Sequence, residues 1–180
     1  MNLEVVNTTA SGNLGIEIDL DRLSTDVEEV DFDPEKHQGA YVRIKEFESL
    51  ITIYRTGKYI ITGSKSEEEA YNCVEQFLEL LFDKGVLQTP TQEWFSMRNY
   101  VCTGELDEPQ NLNKLSIQLG MNYTEYEPEQ FPGLIFRPES HSAVIFIFSS
   151  GKIVITGSKS IDVAKDAFQD LKQRLISNCE

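Results

Sequence analysis

Histidine is nearly missing from this chain of 180 residues, with only His37 and His141, and tryptophan occurs once. Two histidines so far apart in sequence supply neither a metal-ligand spacing nor a general base with a partner nearby, and no glycine-rich phosphate loop opens a helix. The three cysteines, Cys73, Cys102 and Cys179, are odd in number and without metal-type spacing, which excludes a disulfide framework and a zinc site. No apolar run is long enough to span a bilayer. The first residues, Met1-Asn2-Leu3-Glu4, lack the basic and apolar regions of a signal peptide, so a soluble intracellular protein without a membrane partner is expected. The carboxylates fall in surface runs with no pattern that marks catalysis. Neither an enzyme, a cofactor nor a metal is expected.

Basic residues are also few. Lys and Arg number 16 against 30 Asp and Glu, for a net charge of −14. Phosphate contacts need cations, so this balance counts against nucleic acid at first sight. Its distribution matters more than its sum: residues 1–94 carry −11 and residues 95–180 only −3. Many of the acids lie in two runs, Asp26 to Glu35 and Glu67 to Glu69. Such runs fit a solvated face and equally a high-salt cytoplasm.

What the chain does have is a duplication. Gly57-Lys58-Tyr59-Ile60-Ile61-Thr62-Gly63-Ser64-Lys65-Ser66 returns 94 residues later as Gly151-Lys152-Ile153-Val154-Ile155-Thr156-Gly157-Ser158-Lys159-Ser160. Asp31-Phe32-Asp33-Pro34-Glu35 and Glu125-Tyr126-Glu127-Pro128-Glu129 keep the same offset. Asn7 and Leu20 match Asn99 and Leu112 at an offset of 92, which places a length difference of two residues between Leu20 and Phe32. The period is too long for a solenoid, and 40% hydrophobic residues suffice for a substantial core. Two repeats, 1–94 and 95–180, intimately joined as one pseudo-twofold domain, are expected.

Each repeat reads as a strand (Leu3 to Thr9; Arg98 to Thr103), a short helix (about Asp19 to Val27; Asn113 to Met121), three strands and a closing helix. The three strands are Tyr41 to Ile44, Ser49 to Tyr54 and Lys58 to Thr62, with equivalents Leu134 to Arg137, Ala143 to Phe148 and Lys152 to Thr156. Arg55-Thr56-Gly57 and Ser149-Ser150-Gly151 mark hairpin turns. Ser66-Glu67-Glu68-Glu69 is a capping box, followed by an apolar stripe of Ala70, Cys73, Val74, Phe77, Leu80 and Leu81 that stops near Gly85. Ala164, Ala167, Phe168, Leu171 and Leu175 form the second stripe.

Successive strand side chains point to opposite faces. Ile51, Ile53, Tyr59 and Ile61, then Ile145, Ile147, Ile153 and Ile155, make the core face for the long helices. The alternate residues, Thr52, Tyr54, Lys58, Ile60 and Thr62, then Val144, Phe146, Phe148, Lys152, Val154 and Thr156, are also largely apolar. There is helix enough to cover one side only. An uncovered sheet of aromatics, valine and threonine flanked by lysine is expected to meet a ligand or partner.

Glu125 to Ile135 and Ile147 to Lys159 resemble the TATA-box-binding protein family, the archaeal- and eukaryotic-type general transcription factors. The first repeat follows more loosely, and the likeness runs from about Asn7 to the C-terminus. It implies an α+β fold: a pseudo-twofold saddle, with a curved antiparallel sheet and helices on the convex face. It implies binding of A·T-rich promoter DNA in the minor groove, bending of that DNA, and recruitment of a transcription factor B-like protein and indirectly of RNA polymerase. The location implied is the cytoplasm of an archaeal-type cell, associated with the nucleoid, or the nucleus of a eukaryote. Position by position, the resemblance makes Asn7 and Asn99 the central asparagines. Thr9, Ile60, Thr62, Val101, Phe146, Val154 and Thr156 become the surface on base edges, and Phe131 and Phe148 the wedge of the second repeat. Arg43, Lys58, Lys65, Arg137, Lys152 and Lys159 become phosphate contacts. Glu127 and Glu129, with Gln130 beside them, become the acidic stirrup that meets transcription factor B.

The first repeat departs from this pattern. His37 and Tyr54 stand where the family places wedge phenylalanines, and Thr52 and Thr9 where it has leucine and valine. A histidine can stack on a base, favours phosphate when protonated, and can equally be a plain loop residue. A different reading is therefore carried alongside: a diverged paralogue serving as a protein-interaction or regulatory module, with weak or no DNA bending.

Overall fold

The computed structural model describes residues 3–177; Met1, Asn2 and Cys179 lie outside them. The chain divides into two compact units, one formed by residues 7–98 and the other by the segment before residue 7 together with residues from 99 onward. The described residues form ten strands and four helices.

In the unit of residues 7–98, an antiparallel sheet runs in the order β2 (Val30–Asp31), β3 (Gly39–Val42), β4 (Leu50–Tyr54), β5 (Lys58–Ser64) and β1 (Glu4–Asn13), whose residues from Asn7 belong here. Helices α1 (Leu20–Asp26) and α2 (Glu67–Asp83) complete it. In the other unit the order is β6 (Trp94–Glu105, from Asn99), β10 (Lys152–Ser158), β9 (Val144–Ile147), β8 (Leu134–Phe136) and β7 (Thr124–Glu125), with helices α3 (Leu112–Leu119) and α4 (Ile161–Ser177). The first strand of each repeat is longer than its alternation suggested. The two-residue edge strands β2 and β7 were not legible, being too short to alternate. The expected length difference is found where it was placed: α3 and the loop after it are each one residue longer than α1 and its loop.

Local chemistry explains the elements. Gly57 donates its N–H to the Tyr54 carbonyl at 2.9 Å with φ of +76°, and Gly151 does the same to Phe148 at 2.9 Å with φ of +90°. These are tight hairpins closed by a left-handed glycine. At Gly57 a side chain is barred twice, because a Cβ would lie 2.0 Å from the Ile16 carbonyl oxygen.

Ser66 caps α2, its Oγ accepting from the Glu69 N–H at 3.0 Å. The Glu69 carboxylate accepts from the N–H of Lys65 at 2.7 Å, one residue earlier than a regular capping box. The helix closes in a Schellman motif, Gly85 N–H to Phe82 and Val86 N–H to Leu81, both 2.9 Å.

The core alternation is as read. Ile51, Ile53, Tyr59 and Ile61 are buried under Ala70, Cys73, Val74, Phe77, Leu78 and Leu81 of α2. Leu78 replaces the expected Leu80, which is only half-buried. Ile145, Ile147, Ile153 and Ile155 are buried together with Ala164, Ala167, Phe168 and Leu171 of α4, while Leu175 is only half-buried. Each such large side chain contributes about 1.5–3 kcal/mol, which fixes strand register, because a slip by one residue would turn the whole set outward. The Cys73 thiol, pushed up to about 12 by burial, stays protonated within this core.

Candidate nucleic-acid interface

The sheet face turned away from the helices carries no second layer within either unit among the described residues. In the unit of residues 7–98, the ladder aligns Thr9, Thr62 and Leu50 in one row across the strands, and Ser11, Ile60, Thr52 and Tyr41 in the next. In the other unit Thr103, Val154, Phe146 and Ile135 form the corresponding row. Ile60 is 38% exposed. The rest of these residues are half-buried by one another, with nothing above them. All the base-edge candidates fall on this face, and Leu50, Tyr41, Ser11, Thr103 and Ile135 join them. The strand alternation itself was the signal for these additional members.

A β-bulge fixes one asparagine in each unit. Register shifts between Thr8 and Thr9 on β1, and between Ile155 and Ser158 on β10. At the same level Gly63 and Gly157 take φ of +99° and +78°. Their N–H groups donate to side chains: Gly63 to Asn7 Oδ1 and Gly157 to Asn99 Oδ1, each at 2.8 Å. With its oxygen tied down, each amide has its NH2 as the remaining polar group. Asn99 Nδ2 donates one hydrogen to Thr156 Oγ1 at 3.1 Å.

The aromatic groups differ between units. Phe131 sits edge-on to Phe146 and Phe148, with centroid separations of 5.7 and 5.9 Å. Gly133 makes room for the cluster, since a Cβ there would lie 2.7 Å from Phe131 and 3.2 Å from Phe148. In the first repeat the exposed His37 is instead engaged by Tyr41, ring centroids 4.8 Å apart and Tyr41 Oη 3.2 Å from Nδ1. Tyr54, the counterpart of Phe148, packs beside Gly39. His141 lies in the loop between β8 and β9.

The cations divide into two sets. Lys65 pairs with Glu48 and Arg137 with Glu125, both at 3.1 Å and exposed. Such surface pairs are weak, so either side chain can be released to a phosphate at small cost. Arg43, Lys58, Lys152 and Lys159 are exposed and form no ion pair among the described residues. Lys58 faces neutral Asn13 across its ladder, whereas Lys152 faces Glu105.

Glu127 and Glu129 lie exposed in the turn before β8, and Gln130 donates its side-chain N–H to Glu127. In the matching turn of the first repeat one acid is paired: Lys36 Nζ lies 2.7 Å from Asp33, and this bond, with the Glu35 N–H, holds the Asp33 carboxyl below its usual range. The second turn has Gln130 in the place of Lys36 and so lacks that lysine.

The family model described as "Transcription factor TFIID (or TATA-binding protein, TBP)" matches residues 2–84 and 94–177. The chain belongs to the TATA-binding-protein family. It is 46% identical over 177 residues to TATA-box-binding protein C of Halobacterium salinarum, covering 97% of this chain and 98% of that one. It is 36% identical over 173 residues to the TATA-box-binding protein of Archaeoglobus fulgidus, covering 96% and 94%. The solved TATA-binding protein of Methanococcus jannaschii superposes with a TM-score of 0.87 at 34% identity, covering 98% of this chain and 99% of that one. The α+β fold expected from the sequence is therefore the family's fold, and the family is one of general transcription initiation factors.

Proposed function

We propose that this protein binds A·T-rich promoter DNA through the uncovered face of both repeats, bends it, and recruits a transcription factor B-like protein and through it RNA polymerase. The observation that carries this reading is the pair of bulge-anchored asparagines, Asn7 and Asn99, set in an otherwise largely apolar surface. A minor groove of A·T pairs displays only N3 and O2 acceptors, and a G·C pair adds the guanine amino donor. An amide anchored through its oxygen presents its NH2 to these acceptors, and an N–H that meets the guanine amino group is a donor set against a donor. Apolar neighbours such as Ile60 and Val154 then exclude G·C by leaving that donor desolvated and unpaired.

Wedge residues add deformation. TATA-binding proteins are themselves the type example of apolar side chains that unstack base steps and kink a duplex. Phe131 and Phe148 supply that element here, and Arg43, Lys58, Lys65, Arg137, Lys152 and Lys159 take the flanking phosphates. Glu127, Glu129 and Gln130 form the partner surface. Function follows in the cytoplasm of an archaeal-type cell, on the nucleoid.

The test is the joint exchange Asn7→Asp and Asn99→Asp. Each carboxylate still accepts the glycine N–H but has no N–H to donate and repels the groove. Electrophoretic mobility shift should show at least a hundredfold loss on an A·T-rich duplex at unchanged thermal stability. Unaltered affinity would overturn the reading. The interaction-module alternative is favoured by one observation, the polar His37–Tyr41 couple in place of a wedge; it requires that the parent protein bend duplex DNA weakly or not at all.

A further inference from the structure

Arg98 is absent from the set of residues that the family resemblance supplies, yet it is a cation held by two side-chain contacts on the open face of the unit of residues 7–98. It lies on β6, four residues beyond Trp94 and hence on the same side of the strand. Its guanidinium carbon sits 5.2 Å from the centre of the Trp94 ring. Its Nε donates to Ser11 Oγ at 2.6 Å. Ser11 is paired in register with Ile60, two residues along β1 from Asn13, which faces Lys58.

Both of its partners are neutral. No carboxylate lies within ion-pair distance of Arg98 among the described residues, in contrast to Lys65 and Arg137. A cation–π contact holds the plane of the guanidinium, a hydroxyl takes Nε, and the two terminal amino groups remain as a fork of donors with full positive charge. A fork of that kind matches the paired oxygens of a phosphate. At the offset of 92 residues the first repeat has Val6 in this place, so this position carries a cation in the second repeat alone.

We propose that Arg98, oriented by Trp94 and Ser11, contacts a backbone phosphate of the bound duplex and holds the DNA end beside the first repeat, where an aromatic wedge is lacking. This rests on the duplex-binding reading above. Neutralising one phosphate contact shifts the slope of log K against log salt by about 0.9. A residue that merely stabilised the fold would leave the slope alone.

The experiment is a salt titration of affinity for one A·T-rich duplex, by fluorescence anisotropy, with the parent protein, Arg98→Gln, Arg98→Lys and Ser11→Ala, each checked by thermal unfolding. Arg98→Gln should lose about 5- to 20-fold in affinity and shift the slope by about 0.9. Arg98→Lys should keep the slope and lose about 3-fold, since charge remains but the fork is gone. Ser11→Ala should keep the slope with a smaller loss. A parent-like affinity and slope for Arg98→Gln would overturn the proposal and leave DNA binding intact. Equal affinity loss with no change of slope would assign Arg98 a structural role instead. No binding by the parent at any salt would remove the duplex reading and this proposal together.

Discussion

The hydroxyl of Tyr41 lies 3.2 Å from Nδ1 of His37, so the residue at the wedge position of the first repeat is tied back to its own sheet. In the second repeat Phe131 packs instead against two apolar rings, Phe146 and Phe148. An imidazole held by a phenol has to surrender that bond and desolvate a polar ring before it can enter a base step, whereas a phenylalanine gives up only ring contacts.

Unstacking should therefore be concentrated at the DNA end held by the second repeat. Phe148→Ala is expected to lower affinity about tenfold or more and to reduce the bend angle, by loss of a wedge that offsets a few kcal/mol of unstacking. His37→Ala should change either quantity much less. Fluorescence resonance energy transfer across an end-labelled duplex reads both; a larger effect from His37→Ala would refute the asymmetry.

The acidic turn before β8 yields a different expectation. Glu127 and Glu129 are exposed and form no ion pair among the described residues, while Asp33, the counterpart of Glu127, is paired with Lys36. Replacing both glutamates by alanine should leave stability within about 0.5 kcal/mol and DNA affinity unchanged, yet weaken the ternary complex with transcription factor B about tenfold or more. Native gels of binary and ternary complexes separate the two, and a parallel loss in both would sink the assignment.

A buried hydroxyl pair gives a test of packing. Ser49 Oγ and Ser64 Oγ are 2.8 Å apart in the core, and Thr8 Oγ1 donates to the Ser64 carbonyl at 3.1 Å. In the second repeat Ala143 takes the place of Ser49, and Ser158 Oγ is buried with no hydrogen-bond partner among the described residues. Ser64→Ala leaves the Ser49 hydroxyl orphaned and should cost about 1–3 kcal/mol, whereas Ser158→Ala removes an unpaired group and should be neutral or stabilising by up to about 1 kcal/mol. Urea unfolding of both variants decides it; a greater cost at Ser158 would contradict the pairing.

The two-faced sheet was legible because alternation reports burial directly: Ile51, Ile53, Tyr59 and Ile61 could only point to one side. The motif residues Asn7, Phe131 and Phe148 were legible through the resemblance. What escaped depends on three-dimensional neighbours. That Asn7 spends its oxygen on Gly63, 56 residues away, follows from a bulge that no local pattern announces. The withdrawal of His37 by Tyr41 needs strand β3 to bring the two rings together. Arg98 escaped because the strand expected from Arg98 to Thr103 did not reach back to Trp94, and its anchor Ser11 is 87 residues distant. The neutralisation of Lys65 by Glu48 likewise required the fold.

The account rests on one claim, that the uncovered sheet face grips and bends A·T-rich duplex. The most direct measurement is the bend angle of an end-labelled A·T-rich duplex bound to the parent protein across a range of salt, beside a G·C-rich duplex of equal length. The account predicts a pronounced bend and tighter binding on the A·T-rich duplex alone. A duplex left straight at saturating protein, or one bound equally whatever its sequence, would contradict it.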